Sequence, residues 1–195
     1  MHRVRRAGWL CIIALLASAC GDSRQPASLS TGLVDAQELP GDWLPFEVQP
    51  GEGSFCGVPS SGDAQPEQSA AVAMAIHPDD GPIFGERIER YGSGDAAMAA
   101  LRADLDVPCE FTSASGSRWR MEALDPPDVG AAGRVFLITS LDRPDSYNYD
   151  AAIVSGDVVL LAALNTRQPD RELLDQLIDI AWSNAAKADL VSDGP

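Results

Sequence analysis

Residues 147–164 read Tyr147-Asn148-Tyr149-Asp150-Ala151-Ala152-Ile153-Val154-Ser155-Gly156-Asp157-Val158-Val159-Leu160-Leu161-Ala162-Ala163-Leu164. The seven residues from Val158 onward are all apolar, the composition of a strand buried on both faces and therefore central in its sheet. Residues 147–154 form a second strand candidate, and Ser155-Gly156-Asp157 supplies turn chemistry between the two. Strands joined by so short a connection run antiparallel. Period-two spacing puts Tyr147 and Tyr149 on one strand face and Asn148 and Asp150 on the other.

Upstream, residues 135–141 read as another strand, separated from Tyr147 by the Arg143-Pro144-Asp145 turn. Residues 118–124 alternate Arg118, Arg120 and Glu122 with Trp119, Met121 and Ala123, the pattern of a half-buried strand. Residues 107–112, with Cys109, give one more. Residues 70–77 and 83–91 pair as a hairpin across Asp79-Asp80-Gly81-Pro82. Trp43-Leu44-Pro45-Phe46-Glu47-Val48 is extended, Pro45 suiting an edge, and residues 33–39 form a helical turn stopped by Pro40-Gly41.

Two longer helices are expected. Ala97, Met98, Leu101 and Leu105 have helical spacing over residues 94–105. Over residues 170–190, Leu173, Leu174, Leu177, Ile178, Ala181 and Trp182 make an apolar stripe with Asp170 as its cap. The predicted fold is α+β: one domain over residues 33–190, a largely antiparallel sheet with helices packed mainly on one face, and a tail at 191–195.

The amino terminus gives an address. Residues 1–6 are basic, residues 8–17 are uncharged and mainly apolar, and Ala17-Ser18-Ala19 leads to Cys20. That is the plan of a secretory signal peptide over residues 1–19, too short in its apolar run to span a bilayer. Its end resembles a bacterial lipobox, with Ala17 where the commonest form has Leu. In such signals the Cys thiolate takes a diacylglyceryl group, so Cys20 is the expected lipidation site and the membrane the expected partner. The alternatives are an ordinary secretory signal cleaved near Ala19 and an uncleaved anchor. Residues 20–32 are small and polar, a flexible tether from the cell membrane to an extracytoplasmic domain.

With Cys11 lost in the signal and Cys20 lipidated, Cys56 and Cys109 remain. In an oxidising compartment the pair reads as one disulfide. Closing 53 residues, it is worth roughly 3–4 kcal/mol on the chain-entropy model. Two buried thiols or a metal pair are the other readings, the last weakened by the absence of a Cys-x-x-Cys motif.

Charge excludes one partner class. The chain carries 14 Lys and Arg against 29 Asp and Glu, net −15. Residues 1–19 hold three of the arginines and no acid, so the remainder stands at −18. Such a surface repels phosphate backbones, and nucleic acid is not an expected partner.

No arrangement carries catalysis. His77 is the sole His beyond the signal, sits at a strand end before Pro78, and has no Gly-x-Ser-x-Gly companion. Gly92-Ser93-Gly94 lacks the lysine of a phosphate loop. The acids at 79–80, 125–128 and 142–150 lie in or bracket turns and match no calcium loop. No catalytic residue, metal site or cofactor is expected. Aromatics are the better clue: Tyr147 and Tyr149, with Trp119, could stack on a ligand if their face is open. If the last helix covers that face, they are core.

The order of several short motifs resembles the PknH-type extracellular sensor domain of actinobacterial receptor kinases and stand-alone lipoproteins. The features are Glu38-Leu39-Pro40-Gly41-Asp42-Trp43, Phe55-Cys56-Gly57, Ala71-Val72-Ala73-Met74, Tyr91-Gly92-Ser93 before an Ala-rich helix, Cys109, Trp119, Ser155-Gly156-Asp157-Val158-Val159 and Ala181-Trp182. In that family's kinase-attached member two disulfides surround a cleft thought to bind an unidentified ligand; here only one disulfide can form. The resemblance implies ligand sensing rather than phosphorylation. The expected function is therefore a lipid-anchored, non-enzymatic binding domain for a small-molecule, lipid or protein ligand. An envelope assembly factor using the acidic surface is the alternative, with a cell-wall or lipid hydrolase third.

Overall fold

The computed structural model describes residues 28–46, 54–56, 58–59, 65–76, 81–101, 107–113 and 115–192. Cys20, the proposed signal, His77, Asp79 and Asp80 lie outside them. Ten strands are described: β1 (Leu44–Pro45), β2 (Ser54–Phe55), β3 (Val58–Pro59), β4 (Gln68–Ala75), β5 (Ile83–Arg90), β6 (Cys109–Thr112), β7 (Arg118–Leu124), β8 (Ala132–Ser140), β9 (Tyr147–Ser155) and β10 (Val158–Thr166). The helices are α1 (Gly94–Leu101) and α2 (Arg171–Lys187), and two 3-10 turns, Leu29–Gly32 and Ala36–Glu38, precede β1. The expected helix over 94–105 is described only to Leu101.

Eight strands form one antiparallel sheet in the order β1-β4-β5-β10-β9-β8-β7-β6, while β2 and β3 make a separate ribbon. The apolar run that begins at Val158 is central, between β5 and β9. Its hairpin with β9 pairs Ser155 with Val158 across a turn in which Gly156 has φ +59°, a backbone angle that glycine adopts without a Cβ penalty.

One sheet face carries the main core. Helix α2 starts where the Asp170 carboxylate accepts from the Leu173 amide at 3.0 Å. It buries Leu174, Leu177, Ile178, Ala181 and Ala185 against Phe84, Ile88, Tyr149, Ile153 and Leu160. The amino-terminal segment lies on the same face, with Leu29, Val34, Leu39 and Trp43 buried in that core and the Trp43 ring edge-on to Phe84 at 6.3 Å. The short helix α1 takes the opposite face, where Ala97 packs with Tyr91, Ala152, Val154 and Val159. The α+β architecture is as expected from the sequence, with the long helix on one face and the short one on the other.

Candidate functional site: the opposite face of the sheet

Strand alternation decides which side chains share the second face. Tyr149, Ala151 and Ile153 point into the main core, so Asn148, Asp150, Ala152 and Val154 point the other way. Helix α1 covers Ala152 and Val154. At the far side, Met121, Phe136 and Ile138 form a smaller cluster with Trp119, Phe111 and the Cys56–Cys109 pair. Between these two covers lies Asp150. Its cross-strand partner Ala163, on the central strand β10, is exposed, so the described residues put no second layer over the sheet there.

The floor of this open region is charged and polar. Arg134 and Asp150 are diagonal neighbours on β8 and β9, because Arg134 pairs with Ala152 and Phe136 with Asp150. The Arg134 guanidinium is held from both sides: Nη1 donates to the Leu101 carbonyl at 2.7 Å, and Cζ lies 5.4 Å from the Phe136 ring centroid, a cation–π distance. Burial pushes the Asp150 carboxyl up to about 6, with Arg134 pulling it back. Burial likewise lowers the Arg134 pKa, and Asp150 opposes that shift. On the same face, the Asn165 amide donates to the Asn148 side-chain oxygen. At the α1 end, the Tyr91 hydroxyl donates to Glu89 Oε2 at 2.7 Å, and Arg87 Nη1 lies 3.5 Å from Glu89 Oε1. The arrangement offers hydrogen-bond donors and acceptors on a rigid sheet, next to the small Ala163 side chain and the bare backbone of its cross-strand partner Gly85. It suits binding a polar molecule.

The residues nominated from sequence do not converge. Tyr149 is only 2% exposed, and its hydroxyl accepts from the Asp170 amide at 3.1 Å. It is core under α2, so the covered alternative holds for it. Tyr147 shares that face and is half-buried at the start of β9. Trp119 pairs with Ser140 and Tyr147 with Thr139. Because Thr139 and Ser140 are adjacent on β8, Trp119 lies on the opposite face from both tyrosines. No single ligand surface unites the three.

Cys56 and Cys109 are joined as a disulfide, their Cα atoms 5.9 Å apart. Cys56 has φ +53°, and its sulfur lies 3.9 Å from Met121 Sδ. The bridge thus ties the β2–β3 ribbon to the edge of the open face. Among the described residues no three His, Cys, Asp or Glu side chains gather as a metal site, and no helix is long and apolar enough to cross a membrane.

Sequence reasoning missed Arg134 and Asp150. Each is a charge inside a strand that is otherwise mostly apolar or neutral, which is the signal that could have found them.

No protein-family model matches the chain, and no curated protein is recognisably similar to it in sequence. Its fold is similar to a crystal structure of the extracellular domain of PknH from Mycobacterium tuberculosis, with TM-score 0.55 and 13% identity. The match spans 85% of this chain and 98% of that domain.

Proposed function

We infer that the chain is an extracytoplasmic, sensor-like binding domain, tethered through a lipid on Cys20, that recognises a polar ligand on the open sheet face around Arg134 and Asp150. The reading rests chiefly on that pair: a half-buried carboxylate kept beside a clamped guanidinium, on a face where the neighbouring Ala163 is exposed. A purely structural strand would replace Asp150 with an apolar residue at lower desolvation cost. The fold likeness to an extracellular domain and the export-type amino terminus agree with this placement.

Mass spectrometry of the intact protein purified from its native membrane tests this reading. The expected result is a diacylglyceryl mass on Cys20 and a co-purifying small molecule that Arg134→Ala and Asp150→Asn both lose while keeping native circular dichroism. An unmodified Cys20 would remove the anchor. An identical load in wild type and variants, or no load in any, would remove the site.

A further inference from the structure

The amino-terminal segment from Leu29 to Leu39 crosses the main core face next to strand β5, and one side chain beneath it is unusually placed. Glu86 is 2% exposed. Its Oε2 accepts from the Val34 amide at 2.9 Å, while its Oε1 is buried with no hydrogen-bond partner. Among the described residues no cation pairs with it. The groups around it are Glu38 from the segment itself, a like charge, and the apolar cross-strand neighbours Val72 of β4 and Ala162 of β10. From α2 comes Asn184, which donates to Glu38 Oε2 at 2.6 Å. Lys187, the nearby cation, donates to Asn184 Oδ1 at 3.1 Å.

We propose that residues 29–39 are a proton-gated strap, docked on the sheet when the Glu86 carboxyl is neutral and released when it ionises. Ionised Glu86 is a buried charge with one amide donor and an acidic neighbour, a state that burial opposes strongly. Lifting the strap exposes the carboxylate to water and restores its ordinary acidity. The strap keeps its internal order when it lifts, because the Asp35 and Glu38 side chains cap the Ala36–Glu38 turn reciprocally. The strap takes in the last four residues of the tether expected over residues 20–32, which form the 3-10 turn Leu29–Gly32 with Leu29 in the core, so the gate would set how stiffly the domain is held by its stalk.

Burial pushes Glu86 up to about 7 from 4.5. If release restores 4.5, the opening equilibrium of the strap rises about tenfold between pH 6 and pH 8. Hydrogen–deuterium exchange of the intact chain reads this as protection factors, corrected for intrinsic exchange. Amides of residues 29–39 are expected to lose about tenfold protection relative to β9 and β10 over that range, and Glu86→Gln is expected to abolish the slope. A flat wild-type profile, or an equal slope in the variant, would overturn the proposal. Should Glu86→Gln not fold, the side-chain carboxyl carbon of Glu86 in wild type is titrated by NMR. A midpoint near 7, shared by the Val34 amide shift, supports the strap; a midpoint below 5 overturns it.

Discussion

The hydroxyl of Tyr149 accepts the amide proton of Asp170, the residue whose own carboxylate caps α2. Strand β9 and the last helix are therefore joined at the helix start by a hydrogen bond as well as by apolar packing. Tyr149→Phe keeps the ring and loses the bond, and should lower stability by about 1 kcal/mol. Tyr149→Ala empties a core position and should cost about 3–5 kcal/mol. Urea denaturation of both variants checks this; equal losses would mean that the hydroxyl, not the ring, carries the contact.

The Asp170 cap gives an independent prediction at the same junction. Asp170→Ala leaves the Leu173 amide without its acceptor and should cost about 1 kcal/mol. Because Tyr149 bonds to the main chain of Asp170, that bond survives the substitution. The combination with Tyr149→Phe tests whether the two losses add in a double-mutant cycle.

Asp150 sets a pH dependence of the fold. Its carboxyl rises from 3.8 unfolded to about 6 folded, so the native state binds the extra proton between those values. Stability on this account is highest at the acid end and falls as pH rises from about 4 to about 6. Asp150→Asn should therefore raise thermal stability at pH 7.5, by on the order of 1–3 kcal/mol, and change little at pH 4. A melting-temperature series from pH 4 to 8 reads the difference. A variant that is less stable at pH 7.5 would show that the Arg134 partnership outweighs burial.

Gly130 sits at φ +74°. A methyl group there would come within 2.6 Å of Ile153 Cγ2 and 2.9 Å of the Val154 carbonyl. Gly130→Ala combines an unfavourable backbone angle with overlap against β9 and should cost about 1–3 kcal/mol. Thermal unfolding measures it, and a neutral result would show that the β7–β8 connection yields.

Removing the Cys56–Cys109 bridge should cost roughly 3–4 kcal/mol. The loss should centre on the cluster of Met121, Phe136 and Ile138. The double substitution Cys56→Ala and Cys109→Ala, followed by proton exchange, should show the largest loss of protection in β6 and β7. Uniform loss across the sheet would assign the bridge a global role.

The strands were legible because their patterns were strong. Arg118–Ala123 alternates charged and uncharged residues throughout, and the residues after Val158 are too apolar to lie anywhere but the middle. The Asp170 cap and the α2 stripe were equally readable. The open face was not, because period-two spacing says which residues share a face but not which face a helix will cover. Tyr147 and Tyr149 drew attention as aromatics, yet α2 lies over that face; the neighbours Asn148 and Asp150 received the open one. Glu86 was hidden for a related reason. Nothing in Ile83–Arg90 tells that an amino-terminal segment will fold back across it.

The pairing of β5 with β10 bears on how the molecule assembles. Ladders β6–β7, β7–β8, β8–β9 and β9–β10 each join strands adjacent in the chain, so this meander can zip up through short loops. The β5–β10 ladder instead brings together residues such as Ile88 and Leu160, about 70 positions apart, and closes late because long loops are entropically slow. Until it does, the most apolar strand of the sheet stands at an edge with its backbone donors unspent. That interval, rather than any surface of the finished fold, is when two nascent copies are most able to stick to one another.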